Sequence, residues 1–264
     1  MSLTFQISHA ELLLLLGLLE LPRPFALGPS VLPERPVLEG VLGAAVGSLA
    51  ARDLLKLPAQ PDHLPTPDAG LATLLRTAAL ADSLMIVASG PPTRLSHISR
   101  AGANFVLHSS PAPDIHRFAA LPGAGHVIDT MLAMVMPENI PEPVSTEPLM
   151  LDGEGLLTAF NALQHDDLDT AARVFQRHGH TPAKVRPLIE MIGPQPTRHA
   201  LAAIRQLRQP DSEARGAIIV AGRYGGWWVA PASDRDDLLA LWPTGGPGLR
   251  AKMSEFGAWI CEAA

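Results

Sequence analysis

Histidines are densest in residues 165–180, the first place to look for metal ligands. His178 and His180 flank Gly179, and His165 lies earlier in the same stretch. A metal centre needs three or four converging ligands with supporting partners, and the sequence has no HExxH, CxxC or facial-triad spacing. Glycine is typical of a helix C-terminus, where cationic histidines are stabilised by the helix dipole. The pattern predicts helix-end histidines and no metal site.

Carboxylate and nucleophilic side chains also lack a catalytic context. Asp166, Asp167 and Asp169 fit the first turn of a helix, where acidic groups offset the dipole. The candidate nucleophiles have no G-x-S-x-G elbow around them and no evident base beside them; they are Ser48, Ser89 and Cys261. A P-loop and a GxGxxG after a strand are also missing. The sequence predicts no catalytic residue and no cofactor.

Trp227 and Trp228 are the most conspicuous aromatic pair. Adjacent residues of a strand point to opposite faces of a sheet, so one of the two is expected in the core. The other is either an edge aromatic or a contact residue, since aromatic side chains are enriched at protein interfaces.

The pattern of strands and helices along the sequence predicts an α+β fold with a mainly antiparallel sheet flanked by helices. Alternating or apolar runs predict strands at Leu3–Ile7, Leu84–Ala88, Arg94–Ser99, Ala103–His108, Ile115–Ala119, Ala217–Gly222, Trp227–Ala230 and Leu238–Trp242. Helix-period runs and caps predict helices at Ser8–Glu20, Pro36–Leu57, Ala69–Asp82, Gly125–Met136, after Asp152, before Gly179, after Thr181, at Thr197–Arg208 and at Gly248–Glu262. Ser8 and Glu11 fit a capping box, with Ile7 able to contact Leu12.

Composition excludes several classes of protein. The 264 residues are 47% hydrophobic and 17% charged, which suits a chain with a substantial core. The net charge of −6 argues against a nucleic-acid binder. The leucine run in residues 12–21 is too short for a membrane span and lacks the features of a secretory signal. The single cysteine fits a reducing compartment. We therefore expect a cytoplasmic protein with no membrane insertion.

Two stretches of the sequence resemble each other. Residues 102–135 and 225–257 align with Phe105 over Trp227, and each follows an apolar run. This predicts one globular unit of two related halves, residues 1–143 and 144–264, joined by a proline-rich linker at 137–148. Two copies are too few for a solenoid.

The residues 5–29, FQISHAELLLLLGLLELPRPFALGP, resemble the start of the EspG family. GSLAARDLL at 47–55, the helix pair at 175–205 and AIIVAGRYGGWWVAPAS at 217–233 resemble later family segments in the family's order. The family consists of cytosolic chaperones of ESX (type VII) secretion. The resemblance implies a non-enzymatic protein that binds a helical-hairpin secretion substrate.

The resemblance also suggests a binding loop. In the family, the loop between the second and third strands of the sheet helps grip the client. Its counterpart here is Ser89, Gly90, Pro91, Pro92 and Thr93. We expect this loop to bind the partner together with the second-half helices and whichever of Trp227 and Trp228 faces outward. The alternative is that Gly90–Pro92 forms only a hairpin turn.

Two alternatives belong to other classes. The first is a small-molecule-binding or catalytic domain that uses His97, Asn104 and His108. A closed apolar cavity with convergent polar groups would favour it, and a broad sheet face or groove would favour the chaperone. The second is a winged-helix regulator, for which Arg52 and Lys56 give a poor basic footprint.

Overall fold

The computed structural model describes residues 3–24, 27, 34–60, 62–90, 93–135, 140–143, 147–232 and 235–261. Its helices are α1 (His9–Leu18), α2 (Arg35–Ala51), α3 (Ala69–Ala79), α4 (Ala124–Val135), α5 (Gly153–Gln164), α6 (Leu168–Arg177), α7 (Pro182–Ile192) and α8 (Gly246–Cys261). Its strands are β1 (Thr4–Ser8), β2 (Leu55–Lys56), β3 (Thr66–Pro67), β4 (Ser83–Ser89), β5 (Arg94–Ala101), β6 (Asn104–Ala112), β7 (Ile115–Leu121), β8 (Leu149–Leu151), β9 (Thr197–Arg205), β10 (Glu213–Ala221), β11 (Gly226–Ala232) and β12 (Arg235–Thr244). Ten of these strands belong to one large antiparallel sheet, so the predicted α+β class is confirmed.

Two compact units share the chain. The first consists of Met1–Met85, Leu95–Ala124 and Ile204–Glu213, and the second of Ile86–Arg94, Gly125–Ala203 and Ala214–Ala264. Strand order is β1-β7-β6-β5 in the first unit and β9-β10-β11-β12-β8 in the second. Because each unit combines distant stretches, the units differ from halves cut at residue 143, and the superposition of those halves stays a prediction.

The first unit begins with the predicted capping box. Ser8 is the N-cap of α1: its Oγ accepts from the Glu11 N–H at 3.2 Å, and the Glu11 carboxylate accepts from the Ser8 N–H at 2.7 Å. The leucines of α1 then pack with Ile7, Val106 and Phe118 in the core of this unit. The leucine run is therefore a core helix of a globular unit.

Arg52 connects α2 to the first strand. Its Nη2 donates to the buried Glu11 carboxylate, and its Nη1 donates to the Gln6 carbonyl at 3.0 Å. Burial alone would raise the pKa of Glu11, but hydrogen bonds from Ser8 and Arg52 outweigh it and hold that pKa below its ordinary value. Arg52 is thus engaged within the fold, which leaves the winged-helix alternative without its main cation.

Replacing Arg52 by leucine is expected to lower the free energy of unfolding by about 2 kcal/mol, because the buried Glu11 carboxylate would lose its cation. Urea denaturation measures the change. Arg76→Leu, on the exposed side of α3, is the matched control and should change stability by less than about 0.5 kcal/mol. Equal effects of the two substitutions would contradict this role for Arg52.

The predicted helix Pro36–Leu57 is too long. Helix α2 ends at Ala51, and Asp53 adopts a left-handed conformation with φ +56°. Leu55 and Lys56 then form a short strand paired with Thr66–Pro67. An aspartate tolerates positive φ better than most residues. It can therefore end the helix at a position that has no glycine or proline to indicate a helix C-terminus.

The predicted helix Thr197–Arg208 is wrong. Residues 197–205 form strand β9, whose buried residues His199, Leu201 and Ala203 alternate with more exposed neighbours. The hydroxyl of Thr197 donates to the Ala221 carbonyl at 3.3 Å. Sheet pairing has overridden the helix propensity of an alanine-rich segment.

The second unit places its two tryptophans on opposite sides of β11. Trp227 packs edge-on against Phe175 of α6, with ring centroids 5.6 Å apart. Trp228 packs edge-on against Phe256 of α8 at 5.8 Å. The prediction of opposite faces is confirmed, but the relative exposures are 1% for Trp227 and 6% for Trp228, so neither faces solvent.

A tight turn after β10 contacts the end of α7. The Arg223 N–H donates to the Ile192 carbonyl and the Tyr224 N–H to the Met191 carbonyl, both at 3.1 Å. The turn thereby satisfies two carbonyls that a helix C-terminus leaves without partners. Gly222 lies so close that a Cβ there would stand 2.1 Å from the Ile192 carbonyl oxygen.

The strands at the two ends of the sheet are β1 and β8. In each of them, a side chain from elsewhere contacts a backbone group of the strand. In β1 it is Arg52, as described above. In β8, Nε2 of His180 lies 3.0 Å from the Met150 nitrogen and 2.9 Å from its carbonyl oxygen.

Candidate functional site

The loop predicted to bind a partner lies between β4 and β5. Ser89 and Gly90 are half-buried, Gly90 has φ +68°, and Thr93 is exposed. Pro91 and Pro92 lie outside the described residues. Thr93 and its neighbour Arg94 are accessible to a partner, whereas the buried tryptophans could contact one only after a rearrangement.

An apolar groove in the second unit is a better docking feature than either tryptophan. It has a volume of about 420 Å³ and lies along one side of α7, where Ala183, Pro187 and Met191 contribute apolar surface. Tyr224, from the turn after β10, stands beside it with 57% of its surface exposed. We call this feature the α7 groove.

The charged residues among the described lining of the α7 groove are Glu142, Glu147 and Lys184. Lys184 donates to the Glu147 carboxylate at 2.6 Å, and both side chains are exposed. An exposed ion pair of this kind adds little stability. The Glu142 carboxylate accepts from the Gly245 N–H at 3.1 Å. The groove thus combines apolar surface with polar groups, as protein interfaces do.

The histidines of the alternative site lie in the first unit. His97 on β5 faces His108 on β6 in the strand register, and their rings stack 5.8 Å apart. Asn104 is the exposed first residue of β6, four residues before His108. The three side chains expected to converge therefore do not.

His108 instead belongs to a hydrogen-bonded row of histidines. Its Nε2 lies 2.9 Å from Nδ1 of His116, whose Nε2 lies 3.1 Å from Nδ1 of His9. Each contact needs an N–H on one ring and a lone pair on the other. When the rings are neutral, each ring must therefore donate to the next in the same direction along the row. Together with His97, these residues form what we call the histidine row.

Burial favours the neutral form of three members of the histidine row, His97, His108 and His116. It lowers the pKa of His108 to about 3, helped by the neighbouring His116 and His97. It lowers the pKa of His116 to about 4, helped by His9, against an opposing effect of Asp114. It also lowers the pKa of His97. The Nδ1 of His108 has no hydrogen-bond partner and the ring stacks on Phe118 at 4.5 Å, so the row is packed as part of the core.

The other histidine cluster lies at the ends of helices, as the sequence predicted. His178 is the C-cap of α6 and Gly179 follows it with φ +87°. Asp167 caps the start of the same helix. In the described part of the chain, no three or more His, Cys, Asp or Glu side chains are grouped so that they could hold a metal ion. Among the described residues, no helix is both long and apolar enough to span a membrane.

Comparison with solved structures identifies the fold. Over 95% of this chain and 94% of the other, the structure matches the Mycobacterium tuberculosis type VII secretion system chaperone EspG5, which was solved in complex with the PE25-PPE41 dimer. The TM-score is 0.66 and the sequence identity 12%. This chain has the EspG5 fold. No protein-family model and no curated protein sequence matches it.

The EspG5 fold agrees with the sequence resemblance. The loop 89–93 was predicted from that resemblance, and its role in binding stays a prediction. The sequence did not indicate the α7 groove, because its residues come from segments far apart in the chain. A weak signal for it was Tyr224, the single tyrosine of the sequence, placed in a glycine-flanked turn where aromatic side chains are rarely needed for packing.

Proposed function

We propose that this protein is a non-enzymatic chaperone of type VII secretion that binds a helical-hairpin substrate and keeps it soluble. The observation that carries the proposal is the fold shared with EspG5 over almost the full length of both chains. EspG5 was solved with the PE25-PPE41 dimer bound. The order of family-like segments in the sequence supports the same function.

The α7 groove is the surface we assign to the substrate. A helical hairpin presents apolar side chains at its tip, and a helix binds through such side chains when it lies in an apolar groove. Tyr224 offers a large, rigid contact at the groove's edge, and tyrosine is over-represented among the residues that dominate binding energy. The loop 89–93 would add polar contacts through Ser89 and Thr93.

Co-expression with helical-hairpin proteins encoded beside this chain tests the proposal. We expect a soluble complex that co-purifies at one-to-one stoichiometry. Tyr224→Glu should weaken the complex by about tenfold or more, because it places a charge against apolar surface. Ser89→Glu combined with Thr93→Glu should weaken it as well.

Leu157→Glu is the matched control for Tyr224→Glu. Leu157 lies on α5 in the same unit, is 52% exposed, and does not line the α7 groove. It should leave the complex intact. A complex that resists Tyr224→Glu and the loop variant alike would move the binding surface elsewhere, and failure of every hairpin protein to bind would overturn the chaperone function.

A further inference from the structure

A second cavity lies on the face of β11 that carries Trp228. Trp227, which packs against α6, is on the opposite face. The cavity has a volume of about 610 Å³ and is bounded by the sheet face of the second unit and by helix α8. Trp228, Trp242 and Phe256 supply aromatic walls. The size is that of a pocket for a small organic molecule, and the chaperone function proposed above does not use it.

The sequence of two paired strands explains why space remains there. Trp228 on β11 pairs with Trp242 on β12, and two residues along each strand Ala230 pairs with Ala240. Residues two apart share a face of the sheet, so a pair of very large side chains stands beside a pair of very small ones. Helix α8 rests against Trp228 through its own Phe256, and the alanines leave the adjoining volume unfilled.

Two cations stand at the cavity, each held against an aromatic ring. The Arg215 guanidinium lies 4.6 Å from the ring centroid of Trp259, and the Lys252 ammonium lies 5.0 Å from that of Trp242. Cation–π contacts of this kind restrict the side chain while leaving its donors available. Among the described residues, Glu255 is the one carboxylate of the lining; it is 3.9 Å from Lys252 and largely exposed. The charged groups of the described lining therefore sum to one positive charge.

We propose that this cavity binds a small anionic amphiphile, an apolar chain or ring system that carries one carboxylate. The apolar body lies against Trp228, Ala230 and Ala240. The carboxylate accepts hydrogen bonds from Arg215 and Lys252, the charge-assisted kind that such groups form best.

Decanoate is the probe that tests this assignment on the full chain. We expect it to bind with a Kd of about 0.1 mM or tighter by isothermal titration calorimetry, and to change the tryptophan fluorescence. Decan-1-ol should bind about tenfold more weakly and decyltrimethylammonium more weakly still. No binding of decanoate up to about 1 mM, or equal binding of the cationic analogue, would overturn the proposal.

Two variants locate the binding. Arg215→Gln combined with Lys252→Gln should weaken the binding of decanoate by about tenfold and leave the binding of decan-1-ol unchanged. Arg186→Gln, on the exposed side of α7, is the control and should change neither affinity. Ala230→Phe, which fills the cavity, should abolish binding of both. If Ala230→Phe fails to fold, the double variant of Arg215 and Lys252 still tests the proposal. Unchanged decanoate affinity in the double variant would refute the carboxylate site, whatever the outcome for the secretion substrate.

Discussion

Replacing Gly222 by alanine is expected to lower the free energy of unfolding by about 3 kcal/mol or more. The added Cβ would stand 2.1 Å from the carbonyl oxygen of Ile192 and 2.5 Å from its Cα, and backbone atoms cannot rotate away as a side chain can. The turn would have to leave α7, and the hydrogen bonds from Arg223 and Tyr224 to that helix would be lost. Urea denaturation measures the loss.

Gly43→Ala is the matched control. Gly43 lies in α2, and an added Cβ there would meet nothing within 4 Å. Alanine in a helix interior is favoured over glycine by roughly 0.5–1 kcal/mol, so the same chemical change should stabilise the chain. A Gly222→Ala protein as stable as the wild type would mean that the turn does not hold its place against Ile192.

Acidification from pH 7 to pH 4 is expected to destabilise the protein through the histidine row. Histidine in an unfolded chain has a pKa of about 6.5, whereas folding lowers the pKa of His108 to about 3 and that of His116 to about 4. Below pH 6.5 the unfolded chain therefore binds protons that the folded chain does not. The free energy of unfolding falls with the pH throughout this window, by on the order of 3 kcal/mol for each of the two histidines.

Urea denaturation at several pH values between 7 and 4.5 measures this slope. His108→Leu should flatten it, because leucine keeps the packing against Phe118 and removes one titrating group. His126→Gln, at an exposed position of α4, should leave the slope unchanged. Stability that is constant across the window, or an equal slope in His108→Leu, would contradict the lowered pKa values of His108 and His116.

Local signals in the sequence predicted the parts of the fold that local chemistry determines. Ser8 and Glu11 began α1, Asp152 capped α5, and Thr181 with Pro182 began α7, as the structure confirms. The Ser8 and Asp152 side chains accept from N–H groups three residues on, and α7 begins with Pro182 in its first turn, so sequence spacing carries the information.

Segments whose structure depends on distant partners were predicted less well. Strand β9 contains three alanines and a leucine that suit a helix, and the alternation of His199, Leu201 and Ala203 was the signal that opposed it. The three-residue strand β8 is too short to show any period. Its existence depends on pairing with Leu239, Ala240 and Leu241 of β12.

The candidate sites were the hardest to predict because they combine residues from separate elements. The histidine row unites residues 9, 97, 108 and 116, and only the pairing of His97 with His108 could be approached from strand alternation. Periodicity placed Trp227 and Trp228 on opposite faces. It could not reveal that α6 covers one ring and α8 the other.

Arg52 and His180 each contact the backbone of an end strand of the sheet. Exposed end strands invite a foreign strand to extend the sheet, and such additions can continue from molecule to molecule into polymers. Arg52 donates to the Gln6 carbonyl, and Nε2 of His180 bonds either the N–H or the carbonyl of Met150. An added strand would therefore gain fewer backbone hydrogen bonds at these two edges than at bare ones, whereas a helical partner of the kind proposed above would need none of them.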